Sequence, residues 1–204
     1  MNYHNITYPD MNNGDGLRVV LWLSGCSHHC YNCQNPQTWD ANSGIPFDES
    51  ARKELFRELD KDYISGLTLT GGDPLFESNL DGVLDLVTEI NKRYNFQKVD
   101  SANPCKMGVS EDKNADEIRL LFPNKTIWIY SGYRWSEIFN DGVYLTRDCA
   151  GWKRREIVKK CDVMIDGKYM DSLRDPQLKW RGSSNQHAID IGKSMIKGEI
   201  VLWD

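Results

Sequence analysis

Short apolar segments alternate with longer amphipathic segments along this chain, and this alternation restricts its fold more than any other feature. The apolar segments predict strands at residues 18–23, 67–70, 126–130, 163–165 and 199–203. Helical spacing of apolar residues predicts helices at 48–59, 81–94 and 152–160. Strands that alternate with helices are typical of a parallel sheet covered by helices. We therefore expect an α/β fold.

The composition predicts one soluble domain over residues 1–204. A chain of 204 residues can form one sizeable core but is short for two. The formal net charge of -5 and a pI of about 5.4 provide no basic surface for nucleic acid. No apolar stretch approaches the roughly 20 residues that span a bilayer, and the first residues lack a signal-peptide pattern. We expect a cytoplasmic protein without nucleic-acid or membrane partners.

Cys26, Cys30 and Cys33 form a C-x3-C-x2-C run directly after the first predicted strand. Clustered cysteines in a chain that is not secreted indicate metal binding instead of disulfides. Closed structural zinc sites nearly always have four protein ligands, whereas cysteine thiolates hold iron–sulfur clusters. Because the run supplies only three thiolates, it predicts a cluster with one metal position open to a small molecule.

Two alternatives remain for the cysteines. His28 or His29 could complete a zinc site of three cysteines and one histidine, in a zinc-binding interaction module. Both histidines lie inside the loop that the cysteines must close, which disfavours this arrangement. The other alternative is an auxiliary cluster built from cysteines that other elements separate, namely Cys105, Cys149 and Cys161.

A second motif, Gly71-Gly72-Asp73-Pro74, directly follows the predicted strand at 67–70. Two glycines at a strand end permit positive φ angles and close approach of a ligand to the backbone. Alone, such a segment is also typical of an ordinary turn. Its position after a strand and downstream of the cysteine loop favours a ligand site.

Both motifs resemble those of the radical S-adenosylmethionine enzymes. In that superfamily three cysteines at this spacing hold a 4Fe-4S cluster, S-adenosylmethionine chelates the fourth iron, and a Gly-Gly-Glu-Pro segment binds its amino group. Segments in order along the chain resemble one family within it, the activating proteins of anaerobic (class III) ribonucleoside-triphosphate reductase. These segments are NGDGLR at 13–18, SGC at 24–26, SG at 43–44, GGDP at 71–74, SGY at 131–133, DGKY at 166–169 and WRGSSNQ at 180–186.

The resemblance implies a role for each matching residue. The cluster ligands would be Cys26, Cys30 and Cys33. The residues along the adenosyl moiety would be Asn32, Cys33 and Gln34. The residues at the methionyl end would be Gly71, Gly72 and Asp73. For Ser131, Asp166, Lys168 and the segment 180–186, turn chemistry and fold closure are preferred to direct contact with cofactor or partner.

The resemblance also implies the reaction and the architecture. A flavodoxin-like donor would reduce the cluster, S-adenosylmethionine would be cleaved to methionine and a 5′-deoxyadenosyl radical, and that radical would take hydrogen from a glycine of the reductase. The fold would be a reduced radical S-adenosylmethionine (βα) barrel, open on one side, since a full eight-unit barrel needs roughly 250 residues.

An alternative within the same superfamily is a short radical S-adenosylmethionine enzyme that acts on a small molecule, as the deazaguanine-forming synthases do. It would need no protein partner, and the segment 180–186 argues against it. Residues 97–116 have no counterpart in the family and predict an insertion.

Overall fold

The computed structural model describes residues 1–95, 124–139 and 149–203, and the strands in these ranges form one sheet. The strands are β1 (Asn2–Asp10), β2 (Arg18–Leu23), β3 (Ile45–Pro46), β4 (Gly66–Gly71), β5 (Thr126–Tyr130), β6 (Val163–Asp166) and β7 (His187–Asp190). Their spatial order is β3-β1-β2-β4-β5-β6-β7.

The four central strands, β2, β4, β5 and β6, run parallel to one another. Their register aligns Leu21 with Leu69, Leu69 with Ile129 and Ile129 with Met164. The outer strands β1 and β7 pair antiparallel with β2 and β6, and β3 pairs antiparallel with β1. The α/β prediction is confirmed, while the sheet is mixed instead of wholly parallel.

The helices are α1 (Glu49–Leu59), α2 (Leu80–Tyr94), α3 (Trp135–Phe139), α4 (Ala150–Lys159) and α5 (Ile191–Lys197). The three predicted helices are confirmed as α1, α2 and α4, with bounds shifted by one or two residues. Asp48, the first residue of the predicted helix at 48–59, is the N-cap of α1, and its carboxylate accepts a hydrogen bond from the N–H of Ala51. A short acceptor at this position satisfies a backbone donor that the first turn leaves unpaired.

The two faces of the sheet have different surroundings. On one face, alternate strand residues such as Leu67 and Leu69 pack with apolar residues of the helices, including Leu86 of α2, in the main core. Because neighbouring strand residues point to opposite faces, Thr68 and Thr70 lie on the other side of the sheet. There a smaller cluster forms around Trp128, and partly buried aromatic residues pack against it. This second face leads to the functional site.

Four of the five predicted strands are confirmed, and the predicted strand at 199–203 is wrong. The chain end forms an isolated bridge between Leu202 and Ile189 of β7, and Trp203 packs edge-on against Trp128. Packing on the sheet face therefore accounts for this apolar segment. Strands β1, β3 and β7 and the helices α3 and α5 were not predicted. The predicted insertion at 97–116, with Cys105, lies outside the described residues.

Within the described ranges, the structure contains no helix with the length and apolar character needed to span a bilayer.

Candidate functional site

The loops that follow the four parallel strands meet at one edge of the sheet and enclose a cavity of about 460 Å³. Each strand contributes a residue of its own loop to the wall: Cys26 after β2, Gly72 after β4, Ser131 after β5 and Gly167 after β6. Open parallel sheets characteristically bind ligands at the carboxyl ends of their strands. The volume is also within the range of about 300–1,000 Å³ for small-molecule sites.

Most of the residues predicted for the site border this cavity. They are Cys26, Cys30, Cys33, Gln34, Gly71, Gly72 and Asp73. Asn32 is the exception, because its exposed side chain donates from Nδ2 to the Asp171 carboxylate at 3.1 Å. The fold thus brings together two motifs that lie far apart in the sequence, and it turns Asn32 away from them.

Backbone hydrogen bonds shape the cysteine loop. The N–H groups of Gly25 and Cys26 donate to the carbonyls of Thr38 and Trp39 at 2.7 and 3.0 Å, which folds the loop back on itself. His29 and Asn32 have φ angles of 45° and 54° within this loop. Positive φ in residues other than glycine is uncommon and concentrates at functional sites.

The glycine motif packs directly on the cysteine loop. The N–H of Asp73 donates to the Gly25 carbonyl at 2.8 Å, and a Cβ on Gly72 would lie only 2.5 Å from that oxygen. Glycine is therefore required at position 72 by this close approach. The buried Asn79 amide secures both segments, since its Nδ2 donates to the carbonyls of Ser24 and Asp73 at 2.7 and 3.1 Å. The sequence contained no local signal for Asn79.

The Asp73 carboxylate connects three loops of the site and is 1% exposed. It accepts hydrogen bonds from the N–H groups of Leu75 and Gly132 at 2.8 and 3.1 Å. The Ser131 hydroxyl lies 2.9 and 3.0 Å from its two oxygens, and His28 Nε2 lies 2.7 Å from Oδ2. Donors inside the protein thus surround this carboxylate. Gly132 was not predicted as a site residue, and His28 was considered only as a zinc ligand in an alternative.

Each of the three cysteine sulfurs accepts a hydrogen bond from a backbone N–H group. Burial raises the pKa of the Cys26 thiol to about 11, while the N–H groups of His28 and His29 act in the opposite direction by hydrogen bonding to its sulfur. Burial also raises the pKa of the Cys30 thiol, whereas a backbone hydrogen bond from Tyr169 acts to lower it. The N–H of Asn35 donates to Cys33 Sγ at 3.4 Å. Hydrogen bonds to the sulfurs are among the features that tune iron–sulfur clusters.

Two residues that line the cavity have unpaired polar side-chain atoms. Tyr130 Oη and Trp39 Nε1 are buried and have no hydrogen-bond partner among the described residues. Buried polar atoms without a partner are costly to the fold. In the same ranges, no three His, Cys, Asp or Glu residues form a group ready to hold a metal ion. Ligation by the three cysteines therefore stays a prediction.

The segment 180–186 contributes to the wall of the same cavity. Trp180, Arg181, Gly182 and Gln186 all border the cavity. The Gln186 side chain shapes the turn, because its Oε1 accepts from the N–H groups of Gly182 and Ser183 at 3.0 and 3.2 Å. This agrees with the expected turn chemistry, and the segment also faces the site. Trp180 has a φ of 61°, which is a strained value for a bulky residue.

Asp166 and the loop histidines have structural partners. The Asp166 carboxylate accepts from the N–H of Trp135 at 3.0 Å and from the N–H of His187 at 3.1 Å, which agrees with the expected fold closure. His28 is bound to Asp73, and the His29 ring packs edge-on against Trp39 at 4.8 Å. Neither histidine side chain is held ready to complete a zinc site.

A mixed α/β sheet with a cysteine-lined cavity at the carboxyl ends of its parallel strands is an arrangement that suits an iron–sulfur protein. In agreement, residues 12–104 and 112–189 match the family model of a 4Fe-4S single cluster domain. The interval that the match leaves out lies inside the predicted insertion.

Comparison with characterised sequences identifies the family. The chain is 38% identical over 186 residues to the anaerobic ribonucleoside-triphosphate reductase-activating protein of Enterobacteria phage T4, covering 91% of this chain and 92% of the relative. The Escherichia coli protein of that name is 33% identical over 188 residues, covering 91% and 96%. The Pasteurella multocida protein is 34% identical over 188 residues, covering 91% and 95%. The chain belongs to the family of anaerobic ribonucleoside-triphosphate reductase-activating proteins.

Proposed function

We propose that this protein activates an anaerobic ribonucleoside-triphosphate reductase by generating a glycyl radical on it. The observation that carries the proposal is the similarity to relatives of that name over 91% of the chain, in a fold that places three cysteines on one cavity wall. The predicted cofactors are a 4Fe-4S cluster and S-adenosylmethionine. When bound, a reduced cluster supplies the electron that cleaves S-adenosylmethionine. The glycyl radical on the reductase derives from that cleavage.

The residues of the cysteine loop would bind the cluster. Cys26, Cys30 and Cys33 would supply thiolates to three irons, leaving the fourth iron to S-adenosylmethionine. Iron binding favours deprotonation of a thiol, which offsets the effect of burial on Cys26. The N–H groups directed at the sulfurs would then stabilise the bound thiolates.

The remaining cavity wall would orient S-adenosylmethionine. Gly71, Gly72 and Asp73 would hold its methionyl end, since all three border the cavity beside the cysteine loop. Gln34 borders the cavity and would lie along the adenosyl moiety. We retain Asn32 as a contact through its backbone, because its side chain is bonded to Asp171.

The architecture that we propose is an open radical S-adenosylmethionine (βα) partial barrel. Four parallel strands carry the site loops at their carboxyl ends, and helices cover one face of the sheet. The cavity lies on the other side, where a loop of a large protein substrate could reach it.

A cytoplasmic location and a flavodoxin-like electron donor complete the proposal. Four cysteines of the described ranges are free thiols, as is usual in a reducing compartment, namely Cys26, Cys30, Cys33 and Cys149. A low-potential, one-electron donor matches the electron demand of the reaction.

Anaerobic EPR spectroscopy tests the proposal directly. The iron-reconstituted protein is reduced in the presence of S-adenosylmethionine and an anaerobic ribonucleoside-triphosphate reductase from the same genome. We expect a glycyl-radical doublet on the reductase, and none when its radical-bearing glycine is replaced by alanine. Cleavage of S-adenosylmethionine without a doublet would overturn the choice of substrate. A protein that neither binds a cluster nor cleaves S-adenosylmethionine would overturn the chemistry.

A further inference from the structure

We propose that His28 is a positioning residue that, through Asp73, fixes the cysteine loop against the loops after β4 and β5. It would thereby hold the cavity in the shape that binds S-adenosylmethionine. This inference rests on the proposed function, which supplies the ligand. Its basis is the contact geometry around the imidazole ring.

The His28–Asp73 contact is short and buried. His28 Nε2 lies 2.7 Å from Asp73 Oδ2, and the two side chains are 9% and 2% exposed. We assign the ring proton to Nε2, so that the carboxylate oxygen accepts this hydrogen bond. Hydrogen bonds with one charged partner are roughly twice as strong as neutral ones. His28 lies between Cys26 and Cys30, so this bond ties the cysteine loop to the glycine motif.

The loop after β5 is shaped around the same ring. A Cβ on Gly132 would lie 2.2 Å from His28 Cδ2 and 2.6 Å from Nε2. The Tyr133 ring packs edge-on against the imidazole, with centroids 4.8 Å apart. The Gly132 N–H and the Ser131 hydroxyl both donate to the carboxylate that holds His28. Loops from three strands therefore converge on one imidazole–carboxylate pair.

His29 provides a matched control within the same loop. Its side chain is exposed and contacts Trp39 instead of the glycine motif. Its φ of 45° is one that asparagine also tolerates. A His29→Asn variant therefore removes an imidazole beside the same cysteines without disturbing the Asp73 network.

The first test replaces His28 in the reconstituted protein. His28→Leu removes the donor while retaining all three cysteines. We expect iron content near that of the unmodified protein, with the dissociation constant for S-adenosylmethionine raised about ten-fold or more, as for a lost hydrogen bond to a charged group. His28→Gln places an amide donor near the position of Nε2 and should recover most of the affinity. His29→Asn should bind like the unmodified protein.

A second variant displaces His28 without removing any polar group. In Gly132→Ala the added methyl group occupies the position of the imidazole, so we expect weakened S-adenosylmethionine binding similar to that of His28→Leu. If both changes act through the same contact, their effects on affinity will not add in the double variant. Gly132→Ala decides the question if His28→Leu fails to fold or to hold a cluster.

The measurements are iron per chain, S-adenosylmethionine affinity and the change that S-adenosylmethionine causes in the cluster EPR signal. Unchanged or tighter binding in His28→Leu, or in Gly132→Ala where that variant decides, would overturn the positioning role. An equal loss in His29→Asn would also overturn it, because any change in the loop would then suffice. If the unmodified protein shows no cluster or no response to S-adenosylmethionine, the proposed function itself fails.

Discussion

Replacing the buried Arg18 at the start of β2 by methionine should destabilise the fold strongly. Arg18 is 0% exposed, and its guanidinium donates hydrogen bonds to side-chain and backbone oxygens of neighbouring segments. The acceptors are Thr68 Oγ1 at 2.7 Å, the Asp15 carbonyl at 3.0 Å, Thr126 Oγ1 at 2.9 Å, the Leu67 carbonyl at 2.7 Å and the Thr126 carbonyl at 2.8 Å. The guanidinium also lies over the Trp128 ring, 5.3 Å from its centroid.

The expected loss follows from two opposing terms. Hydrogen bonds from a charged donor contribute about 1.5 kcal/mol each at the lower end of their range, so the five contacts together stabilise the fold by about 7.5 kcal/mol. Burial opposes this, since it lowers the pKa of Arg18 to about 10, which corresponds to a cost of about 3 kcal/mol. The net loss on Arg18→Met is therefore about 4–5 kcal/mol, a large part of a typical domain stability of about 5–15 kcal/mol.

Urea unfolding of the metal-free chain, followed by circular dichroism under anaerobic reducing conditions, measures this loss. Arg18→Lys should lose an intermediate amount, because one ammonium group cannot reach all the acceptors of the planar guanidinium. Lys53→Met is the control: its side chain is 76% exposed and pairs with Glu49, which is 73% exposed, so we expect a change below about 1 kcal/mol. A loss below about 1 kcal/mol for Arg18→Met would refute the reasoning.

Three further changes have clear expected outcomes. Cys30→Ala should abolish the cluster absorbance and all activity, and a variant that still cleaves S-adenosylmethionine would disprove this ligand assignment. Asp48→Ala should cost about 1 kcal/mol in urea unfolding, because α1 loses its N-cap bond to the Ala51 N–H at 3.0 Å, whereas Asp48→Ser should retain most of the stability. Leu86→Ala should cost about 2–5 kcal/mol, since this side chain of α2 is 0% exposed, and a smaller shift of the unfolding midpoint would mean that the core relaxes around the cavity.

Local patterns were sufficient to predict the centre of the sheet. The central strands are short, apolar runs, and α2 has its buried residues at helical spacing, so each element was recognisable from its own residues. The edge strands were missed for the opposite reason. Strand β1 is polar and mostly only partly buried, and its pairing with β2 is antiparallel, so neither composition nor alternation marked it.

The candidate site likewise contains residues that local patterns predict and residues that they do not. Cys26, Cys30 and Cys33 were recognisable because their chemistry and spacing are local properties of eight residues. The partners of Asp73 were not, since His28 lies 45 residues and Ser131 lies 58 residues away in the sequence. Only the parallel arrangement of β2, β4 and β5 brings these loops to one edge.

The amino-acid sequence was sufficient to establish the α/β class, the cysteine loop and the glycine motif, because periodicity and ligand spacing depend only on residues that are close together in the sequence. Tertiary structure alone decided that Asn32 turns away from the cavity, that the segment 180–186 borders the cavity, and that His28 meets the Asp73 carboxylate. The physical reason is that hydrogen bonds between distant loops depend on strand order and register, which residue patterns within one loop do not encode.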